Sequence, residues 1–100
     1  MEQPTRNAVG VQIRRIRNAK NFSQQRLASL CSLVGYEITR STLAKIEAAL
    51  RAVSDVELFV IATALRVSLE DLYPPQFASL LKKGKIVPFH ARKGTNKGDE

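Results

Sequence analysis

The sequence predicts an all-α fold, a compact five-helix bundle followed by a basic C-terminal extension, and three observations predict it. One start signal is written four times: an apolar residue, then Ser or Thr, then Leu four positions after the hydroxyl. The copies are Phe22-Ser23 to Leu27, Ile38-Thr39 to Leu43, Val53-Ser54 to Leu58, and Val67-Ser68 to Leu72. In each, the hydroxyl can accept from an orphan N–H of a first helical turn, and the apolar residue can staple onto the Leu. Apolar residues between these starts recur at helical spacing. No stretch within residues 8–73 alternates with the period of a strand.

The elements follow in order. Val9, Ile13 and Ile16 give a first helix its inner stripe, with Arg14, Arg15 and Lys20 outside. The second runs from about Gln24 to Val34, with Leu27, Leu30, Cys31 and Val34 inward, and Gly35 ends it in the left-handed conformation. The third begins at Thr39. At 100° per residue, Leu43, Ile46 and Leu50 fall on one side and face the core. The fourth spans about Asp55–Arg66, with Leu58, Ile61, Ala62 and Leu65 inward. Ser54 to Glu57 makes a capping box at its start, and Ser68 to Asp71 nearly repeats it. A short fifth helix stops at Pro74-Pro75.

Composition narrows the function. With 44% apolar residues, no Trp and six aromatic residues, the core is modest and aliphatic. The net charge of +7 points to a polyanionic partner, nucleic acid before an acidic membrane surface. The bland alternative is a merely soluble basic protein. Cys31 is the single cysteine and lies on an apolar helical face, so it reads as core rather than nucleophile. With no signal peptide and no long apolar run, the chain reads as cytoplasmic, and nucleoid-associated if DNA is the partner. The single histidine, His90, lies far out in a polar tail. No His/Cys cluster, Ser–His–acid set or glycine-rich phosphate loop is present, so no enzyme, metal or cofactor is expected.

The side of the third helix opposite its apolar stripe carries Ser41, Ala44, Lys45 and Ala48, with Arg40 beside them at the first turn. This face is small, polar and cationic, with no acid at its centre. A surface so slim can enter a DNA major groove, about 12 Å wide. Four blocks in the right order then carry a resemblance. They are Ile16-Arg17-Asn18-Ala19-Lys20, Phe22-Ser23-Gln24-Gln25-Arg26-Leu27-Ala28, Thr39 through Glu47, and Ala62 through Leu72. Over residues 9–73 the chain resembles the lambda-repressor-like helix-turn-helix family, also called Xre or Cro-like.

The resemblance implies that the second and third helices form the helix-turn-helix and that the third reads the major groove of double-stranded DNA. Carried over by position, Arg40, Ser41, Ala44 and Lys45 are base-facing. Gln24, Gln25, Thr42 and Arg51 are phosphate contacts. Arg40 suits guanine O6 and N7, and Ala44 a thymine methyl. Arg17 and Glu47 match a family ion pair that holds the recognition helix. Two departures stand out. The link from the second helix to the third is about five residues longer than the family's usual turn, placed around Leu33-Val34-Gly35-Tyr36-Glu37. Where the family often has Gly soon after the Glu47 position, this chain has Ala48-Ala49-Leu50, which predicts a third helix that runs further toward Arg51.

The organisation expected is a flexible N-terminus over 1–7, the DNA-binding domain over 8–75, a dimerisation or packing extension over 76–89, and a disordered basic tail over 90–100. Beyond Leu81 the tail holds six basic residues against two acidic ones. The leading expectation is a sequence-specific transcriptional regulator, a repressor, acting as a homodimer on a palindromic operator. One rival is an antitoxin-like or accessory module that grips a protein partner through 77–89 and binds DNA secondarily. Another is a sequence-neutral, charge-driven nucleic-acid binder.

Overall fold

Hydroxyls at Ser23, Thr39 and Ser54 start three of the four α-helices in the computed structural model of the protein, which describes residues 7–77. Each accepts from the N–H three residues on: Arg26 at 2.9 Å, Thr42 at 3.2 Å and Glu57 at 3.1 Å. The helices they begin are α2 (Gln24–Val34), α3 (Arg40–Glu47) and α4 (Asp55–Leu65). The carboxylate of Glu57 returns a bond to the Ser54 N–H at 2.9 Å, completing the capping box. The helix before them, α1 (Gly10–Ala19), starts differently. Asn7 Oδ1 accepts from the N–H groups of Val9 and Gly10 at 3.2 and 2.7 Å. Asn7 therefore belongs to the folded domain, which begins one residue before the boundary that the sequence suggested.

The helices α1 to α4 stop in the same way. The first residue past α2 and α4, and the second past α1 and α3, has positive φ: Gly35 at 114°, Arg66 at 61°, Asn21 at 61° and Ala49 at 59°. The next N–H then reaches back five residues, Phe22 to the Arg17 carbonyl, Tyr36 to Cys31, Leu50 to Lys45 and Val67 to Ala62. These are Schellman closures, and the reaching residue is apolar each time. Phe22 and Val67 thus end one helix, stand just before the Ser that begins the next element, and pack against the core.

This grammar corrects the expectation for α3. Leu50 does not face the core; it is 75% exposed, because α3 stops at Glu47 and Leu50 becomes the residue that closes its end. The run Ala48-Ala49-Leu50 does not prolong the helix. Ala49 instead holds the left-handed conformation that Gly adopts freely, at a cost of about 1–2 kcal/mol for a residue with a Cβ. Ala49→Gly is therefore expected to stabilise the fold by about 0.5–1 kcal/mol, after the greater chain entropy of Gly is counted. A urea melt checks it, with a higher midpoint and an unchanged slope.

Three smaller corrections also concern where elements end. Val34, expected inward, is about one-third exposed at the last turn of α2 (36%). Arg66 lies past the end of α4 rather than within it. The fifth helix is a single 3₁₀ turn, Glu70–Leu72, braced by reciprocal bonds between Ser68 and Asp71 at 3.2 and 3.3 Å. Two prolines close behind it leave no length for more.

The core gathers Val9, Ile13, Leu27, Cys31, Leu43, Ile46, Ile61, Leu65 and Leu72. The central α4 also buries Val60 and Ala64 beside the expected stripe, while Leu58 packs partly buried against it. It packs chiefly on α2, and α3 lies across α1 and α2 with its opposite side outward. Among the described residues there is no strand, and no helix is long and apolar enough to cross a membrane. The expectations for residues 1–6 and 78–100 lie outside the described residues.

Candidate nucleic-acid interface

The orientation of α3 is set by a buried ion pair on its inner flank. Arg17 of α1 donates from Nε to Glu47 Oε2 at 2.7 Å and from Nη2 to Oε1 at 2.9 Å. Its Nη1 donates to the Phe22 carbonyl at 2.7 Å. A flat guanidinium can fill all three directions at once, which an ammonium could not. Both residues are buried, so the fork is held in a poorly screened environment. The hydrogen bond to Glu47, working against burial, holds the Arg17 proton more firmly than in water. Gln24, the first residue of α2, donates from Nε2 to Glu47 Oε1 at 3.1 Å. The start of α2 and the end of α3 are thus tied through one carboxylate, and one N–H of the Gln24 amide has no partner among the described residues.

A second set of contacts fixes the chain leaving α3. Asn7 Nδ2 donates to the carbonyls of Ile46 and Arg51, at 2.9 and 3.0 Å. The Arg51 guanidinium donates from Nη1 and Nη2 to the two oxygens of Glu57, at 3.1 and 3.2 Å. Burial pushes the Glu57 carboxyl up, but the bonds from Arg51 and the Ser54 backbone outweigh it and hold the carboxyl below its usual range. Arg51 remains exposed.

Between these anchors α3 presents its outer face. Arg40, Ser41 and Lys45 are exposed and have no hydrogen-bond or ion-pair partner among the described residues. Ala44 is half-buried between them. Gln25 is exposed on the first turn of α2. Thr42 is half-buried, and its hydroxyl accepts from the Thr39 hydroxyl at 3.0 Å. Gly35 in its left-handed conformation turns the chain off α2, and the following residues bury only Ile38 before α3 begins. The longer link is thus spent on a longer α2 and an exposed turn, with Thr39 still capping α3.

Other chemistry recedes. Burial pushes the Cys31 thiol up to about 11, leaving almost no thiolate at neutral pH, as suits a core residue. Among the described residues no group of His, Cys, Asp and Glu is placed to hold a metal ion.

The comparisons with known proteins meet this geometry. The helix-turn-helix family HTH_3 matches residues 13–72, from the core of α1 to the 3₁₀ turn. The chain belongs to this family. It is the Xre or lambda-repressor-like family of DNA-binding transcription regulators. Among solved structures, the restriction-modification controller protein C.AhdI from Aeromonas hydrophila is 33% identical, with a TM-score of 0.59, covering 67% of this chain and 94% of that one. A hypothetical transcription factor, NHTF from Neisseria, is 26% identical, with a TM-score of 0.61, covering 81% of this chain and 93% of that one. A search of the curated proteins found no match.

Three ties in this helix-turn-helix regulator escaped the sequence reading. Asn7 as the clamp on α3 had no helical period to reveal it. The Arg51–Glu57 fork joins residues six apart across a loop, a spacing without a helical rule. Gln24 carried a signal, since it begins α2 beside Ser23, but its bond to Glu47 depends on how the helices cross.

Proposed function

We propose that this regulator is sequence-specific and acts as a repressor, a homodimer that lays α3 in the major groove of each half of a palindromic operator. In this reading Arg40, Ser41, Ala44 and Lys45 meet base edges. Gln24, Gln25, Thr42 and Arg51 meet phosphates and set the register. The observation that carries it is the outer face of α3: unpartnered, narrow and cationic, on a helix anchored at its inner flank by Arg17 and Glu47. The donors of Arg40, Ser41 and Lys45 are uncommitted among the described residues, which leaves them free for base edges. The named roles of the two similar structures, a controller protein and a transcription factor, support the same reading.

Dimerisation follows from affinity. A single module buries only about 600–1,000 Å² against DNA, and pairing two on half-sites about 34 Å apart raises it. Val56, Phe59, Leu69 and Phe77 are exposed and offer apolar surface for the contact. Repression needs only occupancy, since a bound dimer excludes other proteins from its operator. The site of action is then the nucleoid, in the cytoplasm.

The test is Arg40→Ala. It should cost about 1–3 kcal/mol on the preferred site and relax one base position, measured by titration of a panel of single-substitution duplexes. An equal loss on every duplex would reduce Arg40 to a phosphate contact.

A further inference from the structure

The helix-turn-helix segment from Ser23 to Glu47 contains two acids, Glu37 and Glu47. Glu47 is spent on Arg17 and Gln24. Glu37 is exposed and has no ion pair or hydrogen bond among the described residues. It stands in the exposed turn that replaces the family's shorter link. A groove of about 370 Å³ lies beside it, walled by Gln25, Ser29 and Ser32 of α2 on one side and by Glu37, Thr39 and Arg40 on the other. Ile38 buries while Glu37 and Thr39, on either side of it, stay outside. The carboxylate is thereby carried on the wall of α3's leading end, three residues before Arg40.

A carboxylate there is costly against DNA in general. It meets a polyanion without a cation to neutralise it, so every non-specific complex is weakened by it. Only an edge that presents a donor offsets that cost, and in the major groove those donors are the amino groups of cytosine and adenine. Adenine N6 sits beside the N7 acceptor of its own base, which repels a carboxylate. On its own base cytosine N4 is flanked instead by C5–H, which leaves that side open to an acceptor. Arginine on guanine and a carboxylate on cytosine are also complementary to the two halves of G·C-rich sequence.

We propose that Glu37 is a specificity-determining residue that accepts a hydrogen bond from the N4 amino group of a cytosine next to the guanine met by Arg40. The unpaired charge rejects thymine, whose O4 acceptor occupies that place, and lowers binding to unrelated sequence. This rests on the reading of α3 as the base-reading helix.

The experiment is selection of bound duplexes from a random pool by the wild-type chain, Glu37→Ala and Glu37→Gln in parallel, each first shown to be folded by circular dichroism. The wild type should select a motif in which one cytosine is preferred about tenfold or more. Glu37→Ala should erase the preference at that position and leave the rest of the motif. Glu37→Gln should move it toward adenine, which a carboxamide meets with both a donor and an acceptor. If both variants keep the wild-type motif at every position, Glu37 is only a repelling charge and the proposal fails while the base-reading role of α3 stands. If the wild type selects no motif, both fail together.

Discussion

Arg17→Glu is expected to lose about 3–5 kcal/mol of stability, the scale for breaking a buried ion pair. The substitution sets two carboxylates face to face where the pair is buried, and it strips the Phe22 carbonyl of its donor. Small domains carry only about 5–15 kcal/mol in total, so much of the population unfolds on warming. DNA binding should fall even where the variant stays folded, because α3 loses the fork that sets its angle. Adding Glu47→Arg should restore part of both properties by reversing the pair. Recovery stays incomplete, since a reversed pair leaves the Phe22 carbonyl unserved and removes the acceptor that Gln24 uses. Urea melts of the wild type, the single and the double variant measure the coupling directly. A double variant no better than the single would contradict the role given to the pair.

Gly10→Ala is expected to produce the next largest loss. Gly10 opens α1 against the end of α3, and a Cβ there would run into the Ile46 carbonyl oxygen. That oxygen is backbone and already accepts from Asn7, so it cannot swing aside as a side chain would. The helices must part or tilt, at an overpacking cost of about 1–3 kcal/mol. At about 4–8 °C per kcal/mol for a domain of this size, the melting temperature should fall visibly in a thermal scan. Asn7→Ala removes the clamp without adding bulk and should cost less, about 1 kcal/mol. An unchanged melting temperature for Gly10→Ala would mean that α1 and α3 are not held as closely as the packing indicates.

Much of this molecule was legible because its helix starts are chemical. Ser23, Thr39 and Ser54 cap the helices that their hydroxyls announce, and the apolar residues before them, Phe22, Ile38 and Val53, join or pack against the core. The helix ends were harder to read. Gly35 and, more weakly, Asn21 advertise a left-handed residue; Ala49 and Arg66 take the same conformation against their own preference. Leu50 was misread for that reason, as its helical phase pointed to the core while the chain had already left the helix. The Arg17–Glu47 fork was named from the family resemblance and not from spacing, since thirty residues separate the partners. The clamp at Asn7 and the fork between Arg51 and Glu57 depend on where separate segments meet, which local periodicity does not encode. The outward face of α3 was readable because it is a single short helix with one period.

The central claim is that this face reads sequence. The most direct measurement is selection of duplexes from a random pool by the wild-type chain at about physiological ionic strength, where non-specific charge attraction is partly screened. A two-fold symmetric motif with half-site centres one helical turn apart, about 34 Å, is the result expected. A bound fraction with no enriched motif would contradict it and leave binding driven by charge alone.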